Sequence, residues 1–117
     1  MEFVAFLGED VQSWGQITGL INRGEWEKVI LIKNKLAPEY ESPKEAEMIL
    51  LDCSKPLIEL KNELVAALKP KFSGFDANLS LASGNGKEHM ALISALLSIP
   101  VGIRLVAFTK NGIEWIN

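Results

Sequence analysis

The architecture of this chain can be inferred from residues 2–32, which read EFVAFLGEDVQSWGQITGLINRGEWEKVILI. Residues 2–7 are a short apolar run ended by a polar turn, which is typical of a buried strand. Between Val11 and Ile21 the apolar residues recur every three or four positions, which predicts a helix with Asp10 as its cap. Val29–Ile32 predicts a second strand. A strand, a helix and a strand within about 30 residues form a βαβ unit, so these strands should be parallel.

The middle of the chain permits two interpretations. Ser42-Pro43-Lys44-Glu45 has the capping-box pattern of a helix start, whereas Met48–Leu51 is an uninterrupted apolar run. Either residues 43–69 form one helix kinked at Pro56, or a short helical turn leads into a third strand at 47–52. We favour the strand, followed by a helix from Leu57, because proline inside a helix costs about 3 kcal/mol.

The last third predicts a strand at 76–82, a helix from Lys87 or Glu88 to Leu97 and a strand at 103–108. Asn111-Gly112 is the preferred pair for a tight hairpin, so residues 113–116 should form an antiparallel edge strand. The prediction is therefore one α/β domain, residues 1–117, with a Rossmann-like three-layer fold and a mostly parallel sheet. The inner positions predicted for the last helix are Met90, Ile93, Leu96 and Leu97.

Composition excludes several classes of protein. The 117 residues are 48% hydrophobic and 23% charged, as in globular domains and unlike disordered tails. The net charge of -3, with 12 scattered Lys and Arg residues, argues against binding to duplex DNA. The single Cys53 excludes an internal disulfide, and no apolar stretch is long enough to span a membrane. We expect a soluble cytoplasmic protein.

Ligands of an open parallel sheet bind beyond the carboxyl ends of its strands, and two polar loops follow such ends here. The loop after the strand at 76–82, Ser83-Gly84-Asn85-Gly86-Lys87, opens a helix whose amides attract anions. Its glycines permit close approach of a ligand, and Ser83 and Lys87 add a hydroxyl and a charge. Phosphate binding and a purely structural turn are equally good interpretations, because neither common phosphate-loop motif is matched. The first loop, after residues 2–7, contains Gly8, Glu9, Ser13 and Trp14.

Other residues have simpler structural explanations. His89 is the only histidine, and a lone helical histidine is more often a surface or capping residue than a catalytic base. Cys53 suits a small buried hydrophobe better than a nucleophile. Glu9 and Asp10 suit a solvated side chain and a cap better than a metal site. The sequence thus predicts no metal and no cofactor.

Residues 78–87, which read NLSLASGNGK, together with Met90 in the helix that follows, resemble the signature of CRISPR-associated Rossmann-fold (CARF) domains. In that family a strand ends in a turn similar to Thr/Ser-Gly-Gly-Thr-Lys, and an apolar helix bearing a methionine comes next. The opening strand with its polar loop and the final hairpin are similar too. The chain departs from the pattern at Asn85-Gly86, where Gly-Thr is usual, and Met90 is one position late.

The resemblance implies a CRISPR-associated homodimer of antiviral defence that binds a cyclic oligoadenylate in its two-fold cleft. Residues 83–87 would hold ribose and phosphate groups, and residues 8–14 would cover the ring or an adenine. We therefore expect a messenger sensor. The alternatives are a metal-independent ring nuclease with Ser83 and Lys87 as its catalytic residues, a non-enzymatic protein-interaction module, and an unrelated nucleotide-binding domain.

Overall fold

The computed structural model describes residues 1–74 and 76–117 and contains one six-stranded sheet. Its strands are β1 (Glu2–Leu7), β2 (Lys28–Asn34), β3 (Glu47–Leu51), β4 (Asp76–Ser80), β5 (Gly102–Thr109) and β6 (Gly112–Trp115). The spatial order is β3-β2-β1-β4-β5-β6; all pairs are parallel except β5 with β6. The predicted α/β class, the Rossmann-like sheet and the antiparallel edge strand are confirmed.

Helices cover both faces of the sheet. They are α1 (Trp14–Arg23), α2 (Leu57–Leu68) and α3 (Gly86–Leu97). The chain leaves β1 toward β2 but leaves β4 toward β5, so right-handed crossovers place α1 and α3 on opposite faces. The strand order therefore reverses between β1 and β4, where the loops after both strands leave a crevice. No helix of the described residues is long and apolar enough to cross a membrane.

Two apolar cores lie on the two faces of the sheet. β1 is buried along its whole length and alternates between them, as expected of a central parallel strand. The core beneath α2 and α3 includes Val4, Phe6, Leu60, Leu64 and Leu92. The core beneath α1 includes Phe3, Leu7, Trp14, Ile17 and Leu31, and the half-buried Trp26 and Trp115 pack against it. Trp26 stacks on Phe3 at 5.0 Å between ring centroids and lies 6.2 Å from Trp115.

The middle of the chain forms the third strand, β3, and the alternative of one long kinked helix is wrong. The helical turn predicted from Ser42 and Pro43 is also wrong, because residues 43 and 44 form a bend and residues 45 and 46 are irregular. β3 begins at Glu47, so no room remains for a helix before it. The Ser42 hydroxyl instead bonds within its own turn to the Lys44 carbonyl at 2.5 Å.

Two predicted helical faces differ from the structure. Val11 belongs to a 3₁₀ turn, Val11–Ser13, that changes the phase before α1, and its side chain is exposed. Met90 and Leu97 of α3 are 59% and 72% exposed. α3 is apolar on nearly all sides, so periodicity cannot select its buried face. The residues it buries include Ala91, Leu92, Ala95 and Leu96.

Candidate functional site

A polar cavity of about 270 Å³ lies at the crevice between β1 and β4. It brings together five of the residues predicted to bind a ligand, from both loops. These are Glu9, Ser13, Ser83, Gly84 and Asn85. Asp10, Ala82 and Glu88 complete the lining. Sequence reasoning did not place Glu88 here, although its spacing from Asn85 is the capping-box signal.

Two serine hydroxyls join the loops at the base of this cavity. Ser83 is 1% exposed, and its Oγ accepts a 2.9 Å hydrogen bond from the Gly8 amide. The Ser13 hydroxyl lies 2.6 Å from Ser83 Oγ and 2.6 Å from the Asp10 carbonyl. Ser83 Oγ therefore accepts from the Gly8 amide and from the Ser13 hydroxyl, and these two bonds tie the first loop to the second.

The same two loops touch backbone to backbone. A Cβ placed on Gly8 would lie 2.6 Å from the Gly84 nitrogen, closer than any non-bonded contact. Gly84 has a φ of +103°, which other residues rarely adopt. Both glycines are therefore required by the shape of the crevice, and the loops form a rigid support for the cavity.

The start of α3 presents amides to solvent. Asn85 and Glu88 form a complete capping box, in which Asn85 Oδ1 accepts from the Glu88 amide and Glu88 Oε1 accepts from the Asn85 amide, both at 2.9 Å. The amides of Gly86 and Lys87 bond to no other residue that the structure describes. They carry the partial positive charge of the helix terminus and are suited to an anion.

Trp14 supports the crevice from beneath and does not line the cavity. It is 7% exposed, and its indole N–H donates to the Gly8 carbonyl at 2.8 Å. Its ring packs edge-on against Tyr40 at 5.5 Å. The structure therefore gives Trp14 a positioning role for Gly8 rather than a surface for stacking.

The structure does not bring Lys87 to Ser83. Lys87 Nζ donates to the Cys53 carbonyl at 3.0 Å, which joins α3 to the loop before α2. Burial raises the pKa of the Cys53 thiol to about 12, and the nearby Glu88 carboxylate acts in the same direction. His89 Nε2 contacts the Ser83 carbonyl at 2.7 Å and must donate there, because a carbonyl only accepts. The crevice thus lacks the paired hydroxyl and ammonium expected of a catalytic site.

Carboxylates dominate the charge of the cavity. Glu9, Asp10 and Glu88 line it, and no ammonium or guanidinium of the described chain does. No group of three or more potential metal ligands occurs within residues 1–74 and 76–117. No protein-family model matches the chain, and no curated protein sequence matches it.

Proposed function

We propose that this protein senses a cyclic oligoadenylate in a cleft between two of its own copies. The observation that carries this proposal is the cavity at the strand reversal, where two rigid loops and a helix terminus face one space. This is the place at which sheets of this order hold nucleotides. A sensor of this kind would be a cytoplasmic protein, as expected from the sequence.

Different groups of the cavity would contact different parts of the nucleotide. The free amides of Gly86 and Lys87 would take a phosphate oxygen at the start of α3. The exposed carboxylates of Glu9 and Asp10 accept hydrogen bonds, so ribose hydroxyls or an adenine amino group would lie against them. A ring of nucleotides supplies both kinds of group together.

An apolar surface on α3 supports pairing of two copies. Met90 and Leu97 are exposed beside the half-buried Ile93, and His89 links this surface to the Ser83 carbonyl of the cavity. In a two-fold contact both copies use the same surface patch, so any charge in the patch meets the same charge on the partner. A patch with little charge is therefore suited to such a contact. A dimer through α3 would set two cavities side by side, as a symmetric ring ligand requires.

The test is a calorimetric titration with cyclic tetra-adenylate, cyclic hexa-adenylate and linear oligoadenylate. Asn85→Asp retains a good helix cap but adds a charge beside the expected phosphate. It should weaken ring binding about tenfold or more, whereas Asn62→Asp, the same change at an exposed position of α2, should not. Failure of the folded protein to bind either ring would refute the sensor.

The dimer is tested in the same preparation by light scattering. Leu97→Lys should yield monomers and weaken ring binding, while Ile58→Lys, at an exposed position of α2, should change neither. Pairing without any ring binding would favour the second candidate, a protein-interaction module, for which the apolar surface of α3 is the specific observation.

Ring cleavage is the less supported alternative. It requires a ribose 2′-hydroxyl to attack the adjacent phosphate, releasing a 5′-hydroxyl and leaving a 2′,3′-cyclic phosphate. The Lys87 ammonium donates to the Cys53 carbonyl and is therefore not placed beside the Ser83 hydroxyl to stabilise the developing charge. Chromatography of the bound ring after prolonged incubation should therefore recover it intact.

A further inference from the structure

A buried lysine outside the crevice has no anionic partner among the residues that the structure describes. Lys33, at the end of β2, is 5% exposed. Its Nζ donates to the Ala37 carbonyl at 2.9 Å and to the Asn34 carbonyl at 3.3 Å. No carboxylate of the described residues lies within 4.0 Å of it. An ammonium has three donors, so among the described residues one N–H has no acceptor and the positive charge has only carbonyl partners, in a place where isolated charges are costly.

Lys33 lines a cavity of about 360 Å³ at the carboxyl ends of β2 and β3. The lining residues are Lys33, Lys35, Ala37, Glu39, Tyr40, Met48 and Leu50. Met48 and Leu50 project from the same face of β3 and leave an apolar wall, with Leu50 57% exposed. The volume lies within the range of small-molecule sites, about 300–1,000 Å³.

This cavity is separate from the crevice. Lys33 pairs in register with Leu7, so it lies one strand away from the β1 loop at the same edge of the sheet. The two cavities share no lining residue. They also differ in charge, because the crevice is lined by carboxylates whereas this cavity has two lysines. Its one carboxylate, Glu39, is exposed and forms no ion pair with either lysine of the described chain.

We propose that this cavity binds a phosphate monoester that carries a planar apolar group, such as a nucleoside monophosphate. Two ammonium groups match the double negative charge of a phosphate monoester better than the single charge of a carboxylate. The thioether and aliphatic side chains of Met48 and Leu50 offer a wall against which a planar base can lie. The phosphate would accept the unused N–H of Lys33, with Lys35 at the rim.

The test is titration of the full chain with 5′-AMP, with adenosine and benzoate as the arms that lack the phosphate. 5′-AMP should bind, and both other compounds should bind at least about tenfold more weakly. Lys33→Met retains the aliphatic stem and should reduce 5′-AMP affinity about tenfold or more. Lys69→Met, an exposed lysine on the other side of the sheet, is the matched control and should leave affinity unchanged.

A second variant keeps the test valid if Lys33→Met does not fold. Leu50→Glu adds a carboxylate to the exposed wall of the cavity without touching the cores, so it should abolish 5′-AMP binding in a folded protein. Wild-type affinity in Lys33→Met or in Leu50→Glu would overturn the proposal, as would absence of 5′-AMP binding. Benzoate binding as tightly as 5′-AMP would overturn the choice of phosphate. Binding of cyclic oligoadenylate plays no part in these outcomes.

Discussion

The contact between Gly8 and Gly84 makes a quantitative prediction for Gly8→Ala. The new Cβ would lie 2.6 Å from the Gly84 nitrogen and 2.7 Å from its Cα. Carbon atoms rest at about 3.5–4.0 Å, so the loops after β1 and β4 must separate by about 0.9 Å. Neither clashing atom belongs to a side chain, and no rotamer change can relieve the overlap.

Separation on that scale also breaks a buried hydrogen bond. The Gly8 amide lies 2.9 Å from Ser83 Oγ, and an added 0.9 Å takes the pair beyond about 3.5 Å, where no hydrogen bond remains. An unsatisfied buried amide costs about 1–3 kcal/mol, and overpacking costs a similar amount. Together these two costs predict that Gly8→Ala lowers the free energy of unfolding by about 2–6 kcal/mol.

Urea denaturation followed by far-ultraviolet circular dichroism measures this effect. Gly15→Ala is the matched control, because nothing lies within 4 Å of its Cβ and alanine favours the helix. That variant should gain up to about 1 kcal/mol. Stability of Gly8→Ala equal to that of the wild type would refute the reasoning from the close contact. A double-mutant cycle with Ser83→Ala should show coupling, since both changes remove the same hydrogen bond.

Three further predictions concern single positions. The raised pKa of Cys53, about 12, leaves little thiolate at pH 8, so iodoacetamide should label the folded protein about a thousandfold more slowly than the unfolded chain; comparable rates would contradict this. Although burial acts to raise the pKa of Glu2, hydrogen bonds from Gly74 and Ser73 lower it overall. The stability that ionised Glu2 contributes is present above its unfolded pKa of about 4.3 and is lost as pH falls through the lower folded pKa. Glu2→Gln should therefore make the stability of the protein depend less steeply on pH in acid, and an unchanged dependence would contradict this. Gly84→Ala should cost about 1–2 kcal/mol in thermal denaturation because of its positive φ, whereas the sterically open Gly86→Ala should cost none; equal effects would exclude backbone strain as the cause.

Sequence periodicity predicted the order of strands and helices because the buried strands are short apolar runs separated by strong turn signals. The middle of the chain was predictable through Pro56 alone, since a proline inside a helix is costly. The capping-box pattern at residues 42–45 misled because capping is a local preference, and a helix also needs residues to extend into. Met90 and Leu97 were misplaced because α3 offers several apolar faces, and only packing against the sheet selects one.

The candidate site was predictable to the level of loops and no further. Strand ends mark where ligands approach, so Glu9, Ser13 and residues 83–85 were found as lining residues. The direction of a side chain was not encoded in that pattern, and Lys87 turns toward Cys53. Lys33 carried no motif, because a lysine at the end of an apolar strand is ordinarily solvated. Its burial depends on the loop that follows β2, which only the tertiary structure supplies.

All three tryptophans lie in or against the core beneath α1, and this placement determines which part of the molecule tryptophan fluorescence can report on. Tryptophan fluorescence will report unfolding on that side of the sheet, and the side covered by α2 and α3 will contribute no tryptophan signal. Because the Trp14 indole donates to the Gly8 carbonyl, its emission should change when the loops of the crevice move. If fluorescence and circular dichroism trace the same denaturation curve, the two sides of the sheet melt as one cooperative unit. Curves that separate would identify α2 and α3 as a subdomain that can loosen on its own.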